Sequence, residues 1–197
     1  MSLAAGYTLP AKLPTVRLRE ALVHRIATLA KARKEPAFRA AGTNRFDDAA
    51  QGFKTLYCAA AFGTCFSETL LRGGGLLVSK ADYDMKAAVL LLLDVQRLQV
   101  VDMFSTAALA LLELDLSIVA GSGYADTQAL GALTYHHASQ PHGILYRSRF
   151  DPEQPALVLF DCAAAHVRRY PGSKPLPFAK VSELVDGVRN TLPFMVA

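Results

Sequence analysis

Glu68 is the one acid in a segment otherwise built from small and apolar side chains, TLYCAAAFGTCFSETLLRGGG at residues 55–75, where Tyr57 is the only aromatic hydroxyl. Three readings compete for it. A capping box needs Ser or Thr three positions earlier, and Cys65 stands there. An ion pair with Arg72, one turn on in the favourable order, contributes only about 0.3–0.5 kcal/mol on an exposed face. In the third reading, Cys65, Phe66, Thr69 and Leu70 form the apolar stripe of a helix, and Glu68 lies on its edge near Thr64 and Leu71. An acid at the margin of a core, at the mouth of a cleft, is where a carboxylate can meet a substrate.

Other constellations are weaker. In SIVAGSGYAD a β-like run meets Gly121-x-Gly123 and a helix follows, but Asp126 occupies the place of the third glycine of a dinucleotide fingerprint. The region about twenty residues on, HHASQPHGILY, supplies no acid. A glycine-rich turn before a helix explains the stretch better. His136 and His137 are adjacent, so on a helix they diverge by about 100° and share one ion poorly. No metal site is expected. Cys58, Cys65 and Cys162 lack zinc or disulfide spacing and read as small buried apolar side chains. Cys65 at a helix start would favour a thiolate, with no particular histidine paired to it.

The elements that must position these residues follow from periodicity. LVHRIATL alternates as a strand, with Val23, Arg25 and Ala27 on one face, and LYCAA is a second strand. TCFSETLLR is a helix stopped by Gly73–Gly75. AAVLLLLDV and LQVVDMF are buried strands. STAALALLEL is a helix capped by Ser105 or Thr106, and YADTQALGALTYHHAS is another, closed by Pro141. HGILYRSRF and ALVLFDC are strands joined at DPEQP, and AKVSELVDGVRN is an amphipathic helix. Short strands mixed irregularly with helices predict an α+β single domain on a bent, largely antiparallel mixed sheet.

The totals agree. The 197 residues are 52% hydrophobic and 19% charged, which suits one folded domain with a substantial core. Asp94 breaks the longest apolar run well short of a membrane span. MSLAAGYTLPAKLP does not read as a signal peptide, so the expected location is the cytoplasm. The net charge is +4, and much of the excess sits in residues 24–45, which suits an anionic partner or a merely solvated surface.

Read together, HRIA with Arg25, NRFDD with Arg45, LYCAA with Tyr57, FSETLL with Glu68, ADTQALGAL, and HGILYRSRFDP with Ser148 resemble, in order and spacing, the RES domain family. The resemblance runs from about Leu22 to Cys162. It divides the chain into an N-terminal extension (1–21), a RES-like NAD-binding catalytic region (22–165) and a C-terminal extension with one helix packed on the same domain (166–197). What it implies is an ADP-ribosyltransferase-like fold. It implies a toxin of a toxin–antitoxin pair that consumes NAD by cleaving the nicotinamide–ribose bond, with water or inorganic phosphate as acceptor. Its expected partner is an Xre-type helix-turn-helix antitoxin. NAD is then the substrate; no metal, membrane or direct nucleic-acid contact is expected.

Under that resemblance each residue has a role. Arg25 and Arg45 clamp the NAD phosphates, since arginine grips phosphate bidentately and stays charged. Tyr57 offers a flat ring to the nicotinamide or its ribose. Glu68 stabilises the oxocarbenium-like charge left on the ribose. Ser148 hydrogen-bonds a ribose hydroxyl or phosphate. His24, Tyr146 and Arg147 stand next in line. Two alternatives remain: a protein ADP-ribosyltransferase on the same fold, and a non-catalytic nucleic-acid-binding module using the basic segment. That segment lacks interleaved aromatics and a helix-turn-helix.

Overall fold

Residues 86–93, KAAVLLLL, need cover on both faces, and the fold is arranged around that need. The computed structural model describes residues 2–71, 77–121, 123–180, 182–191 and 195–196. In chain order its elements are β1 (Thr15–Arg17), β2 (Leu22–Thr28), α1 (Leu29–Ala32), β3 (Thr55–Ala59), α2 (Phe62–Leu70), β4 (Leu77–Val78), α3 (Lys80–Asp84), β5 (Lys86–Leu93) and β6 (Gln99–Met103). There follow α4 (Thr106–Leu111), α5 (Leu116–Ala120), α6 (Ala125–Tyr135), β7 (Gly143–Arg147), β8 (Pro155–Phe160), β9 (Val167–Arg169), β10 (Leu176–Pro177), α7 (Ser182–Thr191) and β11 (Met195–Val196).

The main sheet has the order β1-β6-β7-β8-β3-β2-β5-β10, with β9 also on β5. Its pairs are antiparallel except β6–β7. That parallel pair is the one whose connection contains α4, α5 and α6, a crossover long enough to return the chain in the same direction. The chain is therefore a single α+β domain on a largely antiparallel mixed sheet flanked by helices, as the sequence predicts.

Alternation along the strands assigns the faces. Leu157 and Leu159 of β8 join Val23, Leu56, Val89, Leu91 and Val100 in one inner core. Val100 of β6 and Leu91 of β5 belong to that same core, which runs across the sheet from β6 to β5. Ala156, Val158 and Phe160 of β8 point the other way, onto Phe46, Leu112, Leu130 and Tyr146 under α4–α6. Ala88 of β5, with Ile26 and Ala59, meets Phe62 and Phe66 of α2, Phe178, and Val185 and Val188 of α7. Two helical layers thus cover the outer face, and β3 runs between them.

Some expectations need correction. SIVA is not β-like: Leu116–Ala120 is helix α5, begun by Asp115, whose Oδ1 accepts the Ser117 N–H at 2.7 Å. A short apolar run has no periodicity of its own, and the cap decides it. Cys58 and Cys65 are buried, but Cys162 is exposed, because the chain leaves the sheet in a 3-10 turn at Asp161–His166. The glycine stop after α2 and the residue Arg72 lie outside the described residues.

Candidate active site

The sheet opens where β2 leaves β3. The two strands pair only at His24↔Ala59, whereas β2 pairs with β5 along its whole length. Past that point the Tyr57 carbonyl takes its hydrogen bond from a side chain, Arg25 Nη1 at 2.8 Å. A cavity of about 140 Å³ lies in the opening. It is lined by Arg25 and Ile26 of β2, Tyr57 of β3, Cys65 and Glu68 of α2, and Tyr146 of β7, among others.

Helix α2 carries Glu68 to this cavity. The first turn has no capping side chain at Ala61. Instead, the Thr64 hydroxyl donates to Asp151 Oδ2 at 2.7 Å, tying the helix to the β7–β8 loop. From that loop Ser148 Oγ donates to Glu68 Oε1 at 2.8 Å and the Arg149 N–H donates at 3.2 Å. Tyr146 Oη reaches Oε2 at 3.5 Å. Ser148 is fully buried. The carboxylate is held at a fixed orientation on the cavity wall.

Arg25 faces the same cavity. Its Nε lies 2.9 Å from Glu35 Oε2, an ion-pair distance, although its N–H is not aimed for a hydrogen bond. Tyr57 presents its ring to the cavity while its hydroxyl is anchored. It donates to Asp47 Oδ1 at 3.1 Å and accepts the Phe46 N–H at 2.9 Å. Asp47 is buried and also accepts from Thr43 N, Asn44 N, Asn44 Nδ2 and Thr55 Oγ1. These bonds fix the loop that presents Asn44 to the cavity. Helix α6 clamps the same loop through Gln128, whose Nε2 donates to the Gly42 and Asn44 carbonyls at 3.1 Å each.

Arg25, Tyr57 and Glu68 are thus brought together, with Ser148 bonded to the acid. Arg45 is not among the cavity's lining residues. It is buried, its Nη1 donates to the carbonyls of Val119 at 2.6 Å and Gly121 at 3.3 Å, and its guanidinium stands 6.0 Å from the Tyr146 ring. Arg147 donates from Nη2 to the Phe104 carbonyl at 3.1 Å, over the Phe104 ring. His24 packs edge-on to Phe62, and burial lowers its pKa. Burial pushes the Cys58 thiol up, which disfavours a thiolate there.

Glu35, Asn44, Asp47 and Asp151 escape the sequence reading. Glu35 and Asp47 sit in polar, loop-like stretches where an acid is ordinarily solvated; only the Asn44-x-x-Asp47 spacing hints at a side-chain-closed turn. Among the described residues no group of three or more His, Cys, Asp or Glu side chains is arranged to hold a metal. The arrangement can do charge chemistry: a fixed carboxylate on one wall, a guanidinium on another, and a ring between them.

The frame of the site is a largely antiparallel α+β sheet that opens beside a helix-borne acid. A family model described as RES domain matches residues 22–179. The chain belongs to the RES domain family. Among solved structures it is similar to a chain in the crystal structure of the M. tuberculosis MbcT–MbcA toxin–antitoxin complex. The TM-score is 0.62 and the identity 18%, over 86% of this chain and 91% of that one, a likeness of fold. Among curated proteins, none matches this chain.

Proposed function

We propose that this chain is the toxin of a toxin–antitoxin pair and that it cleaves NAD at the nicotinamide–ribose bond. Membership of the RES family and the fold shared with a chain of a toxin–antitoxin complex support the reading. The observation that carries it is that Glu68, fixed by Ser148 and Arg149, lines the same cavity as Arg25 and Tyr57. A cavity of about 140 Å³ is below the roughly 300–1,000 Å³ of a site that encloses a drug-sized ligand, so it suits one end of a dinucleotide.

In this mechanism the nicotinamide end enters against Tyr57, and Arg25 meets a phosphate oxygen at the cavity wall. The C1′–N bond breaks with its electron pair leaving on the nicotinamide nitrogen, which loses its positive charge. The charge that develops on the ribose is stabilised by Glu68, already oriented and needing no rearrangement. Water or phosphate then adds to C1′, water releasing a proton. Arg45 Nη1 is held by the Val119 and Gly121 carbonyls, so the phosphate contact expected of Arg45 falls to its other terminal nitrogen, Nη2. A cognate antitoxin, of Xre type by family resemblance, covers the cleft in the cytoplasm.

The basic segment is a poor nucleic-acid footprint. Arg25 and Arg39 share Glu35, and Arg45 is buried. The test is product analysis with purified protein and NAD. Release of nicotinamide with ADP-ribose, or with its phosphate adduct when phosphate is present, supports the reading. Labelled protein from lysate would instead mark a transferase. Unchanged NAD beside salt-sensitive binding of generic DNA or RNA would overturn it.

A further inference from the structure

A carboxylate outside the cavity determines how the cavity's guanidinium is held. Glu35 follows α1 and its side chain is 0% exposed. Its Oε2 lies 2.9 Å from Arg25 Nε and accepts the Ala37 N–H at 2.7 Å. Its other oxygen, Oε1, accepts from Arg39 Nη2 at 2.6 Å. The backbone beside it is pinned from β9. Arg169 Nη2 donates to the carbonyls of Ala32 at 3.0 Å, Arg33 at 2.8 Å and Glu35 at 2.9 Å.

Arg25 is 12% exposed at the side chain. Its Nη1 donates to the Tyr57 carbonyl, and Glu35 stands beside its Nε at an ion-pair distance of 2.9 Å. A guanidinium is planar, so the hydrogen bond at Nη1 and the carboxylate charge beside Nε together orient the group, and Nη2 with it. Among the described residues Nη2 makes no hydrogen bond. Charge adds a second consequence. One carboxylate stands between two guanidinium groups, so the trio is net positive. Arg39 offsets the charge of Glu35 and leaves that of Arg25 for an approaching anion. Without a carboxylate, two cations would crowd a largely dry site, an arrangement that strongly disfavours the observed geometry.

We propose that Glu35 is a positioning residue that, with Arg39 as its counter-cation, aims Arg25 at the anionic part of the substrate. This deepens the NAD-cleaving reading above and rests on it. It assigns a role to two residues that do not line the cavity.

The experiment measures binding of two probes, ADP-ribose (a dianion) and nicotinamide (neutral), to the full-length wild type, Glu35→Gln and Arg39→Gln. Glu35→Gln should raise the ADP-ribose Kd about tenfold or more, since a buried ion pair loses its negative member. Arg39→Gln should raise it about threefold, through charge at a distance, with a weaker dependence on salt than in the wild type. Nicotinamide affinity should stay within about twofold in both variants, since a neutral ligand makes no ion pair. A merely structural role would weaken both probes together. Should Glu35→Gln fail to fold, Arg39→Gln, altered at a side chain 32% exposed, decides the matter. ADP-ribose bound equally by wild type and a folded variant overturns this inference alone. A wild type that binds neither probe overturns the NAD reading, and the inference with it.

Discussion

The Ser148 hydroxyl spends its whole hydrogen-bonding capacity around Glu68. Its oxygen accepts the N–H groups of Phe150 at 3.2 Å and Asp151 at 3.1 Å, and its single proton goes to Glu68 Oε1 at 2.8 Å. A hydroxyl has one proton to give. In this arrangement Ser148 orients the acid.

Ser148→Ala should therefore lower kcat for nicotinamide release by about tenfold and leave KM within about twofold, the pattern of a lost transition-state contribution. Because two half-buried N–H groups lose their acceptor, stability should fall by about 1 kcal/mol, the low end of the cost of an unsatisfied group. Steady-state kinetics and urea unfolding check both. A raised KM with unchanged kcat would mean that the serine binds the substrate directly.

Asp47 should be the most sensitive loop position. Its carboxylate gathers Asn44, Thr55 and Tyr57, so Asp47→Asn places an amide N–H₂ against donors. The expected cost is about 1.5–3 kcal/mol, the range for hydrogen bonds to a charged group. A urea midpoint equal to that of the wild type would contradict it.

Gly131 lets α6 lie against the loop that carries Arg45. A Cβ there would stand 2.6 Å from the Phe46 carbonyl oxygen, a backbone atom that cannot move without displacing Asn44 and Asp47. Gly131→Ala should cost about 1–3 kcal/mol as an overpacking change and raise KM for NAD. An unchanged KM would separate this loop from substrate binding.

The strands were legible where periodicity was strong. LVHRIATL showed its alternation, whereas the apolar run AAVLLLLDV has no period of its own and suited a buried strand only by its length. Glu68 was legible because an acid on the edge of an apolar stripe is conspicuous. Glu35 and Asp47 were not, since the partners of an acid in a loop are set by tertiary packing. Arg45 illustrates the same limit: its acceptors, Val119 on α5 and Gly121 just past its end, are far along the chain, and nothing local announces them. The opening between β2 and β3 was equally hidden, because a strand's sequence does not reveal where its pairing stops.

Acid should destabilise the fold before carboxylates titrate. Burial lowers the pKa of His24; burial first, and the neighbouring His166 second, lower that of His142. A folded pKa below the unfolded value means that the unfolded chain takes up the proton first. Stability is then full above about pH 6.5, the unfolded imidazole value, and declines as pH falls through the window down to the folded pKa values. Urea midpoints at about pH 7.5, 6.5 and 5.5, which span that window, should decrease in that order. His142→Asn should flatten part of the decline. Midpoints that rise on acidification would contradict the assignment.

The central claim is that the Glu68 carboxylate stabilises charge on the ribose as nicotinamide leaves. Its most direct test is the rate of nicotinamide release at saturating NAD by wild type and Glu68→Gln, with folding of both verified. The account predicts a loss of about 10²–10³-fold in kcat, the scale for removing an electrostatic stabiliser. Equal rates from a folded Glu68→Gln variant would contradict it.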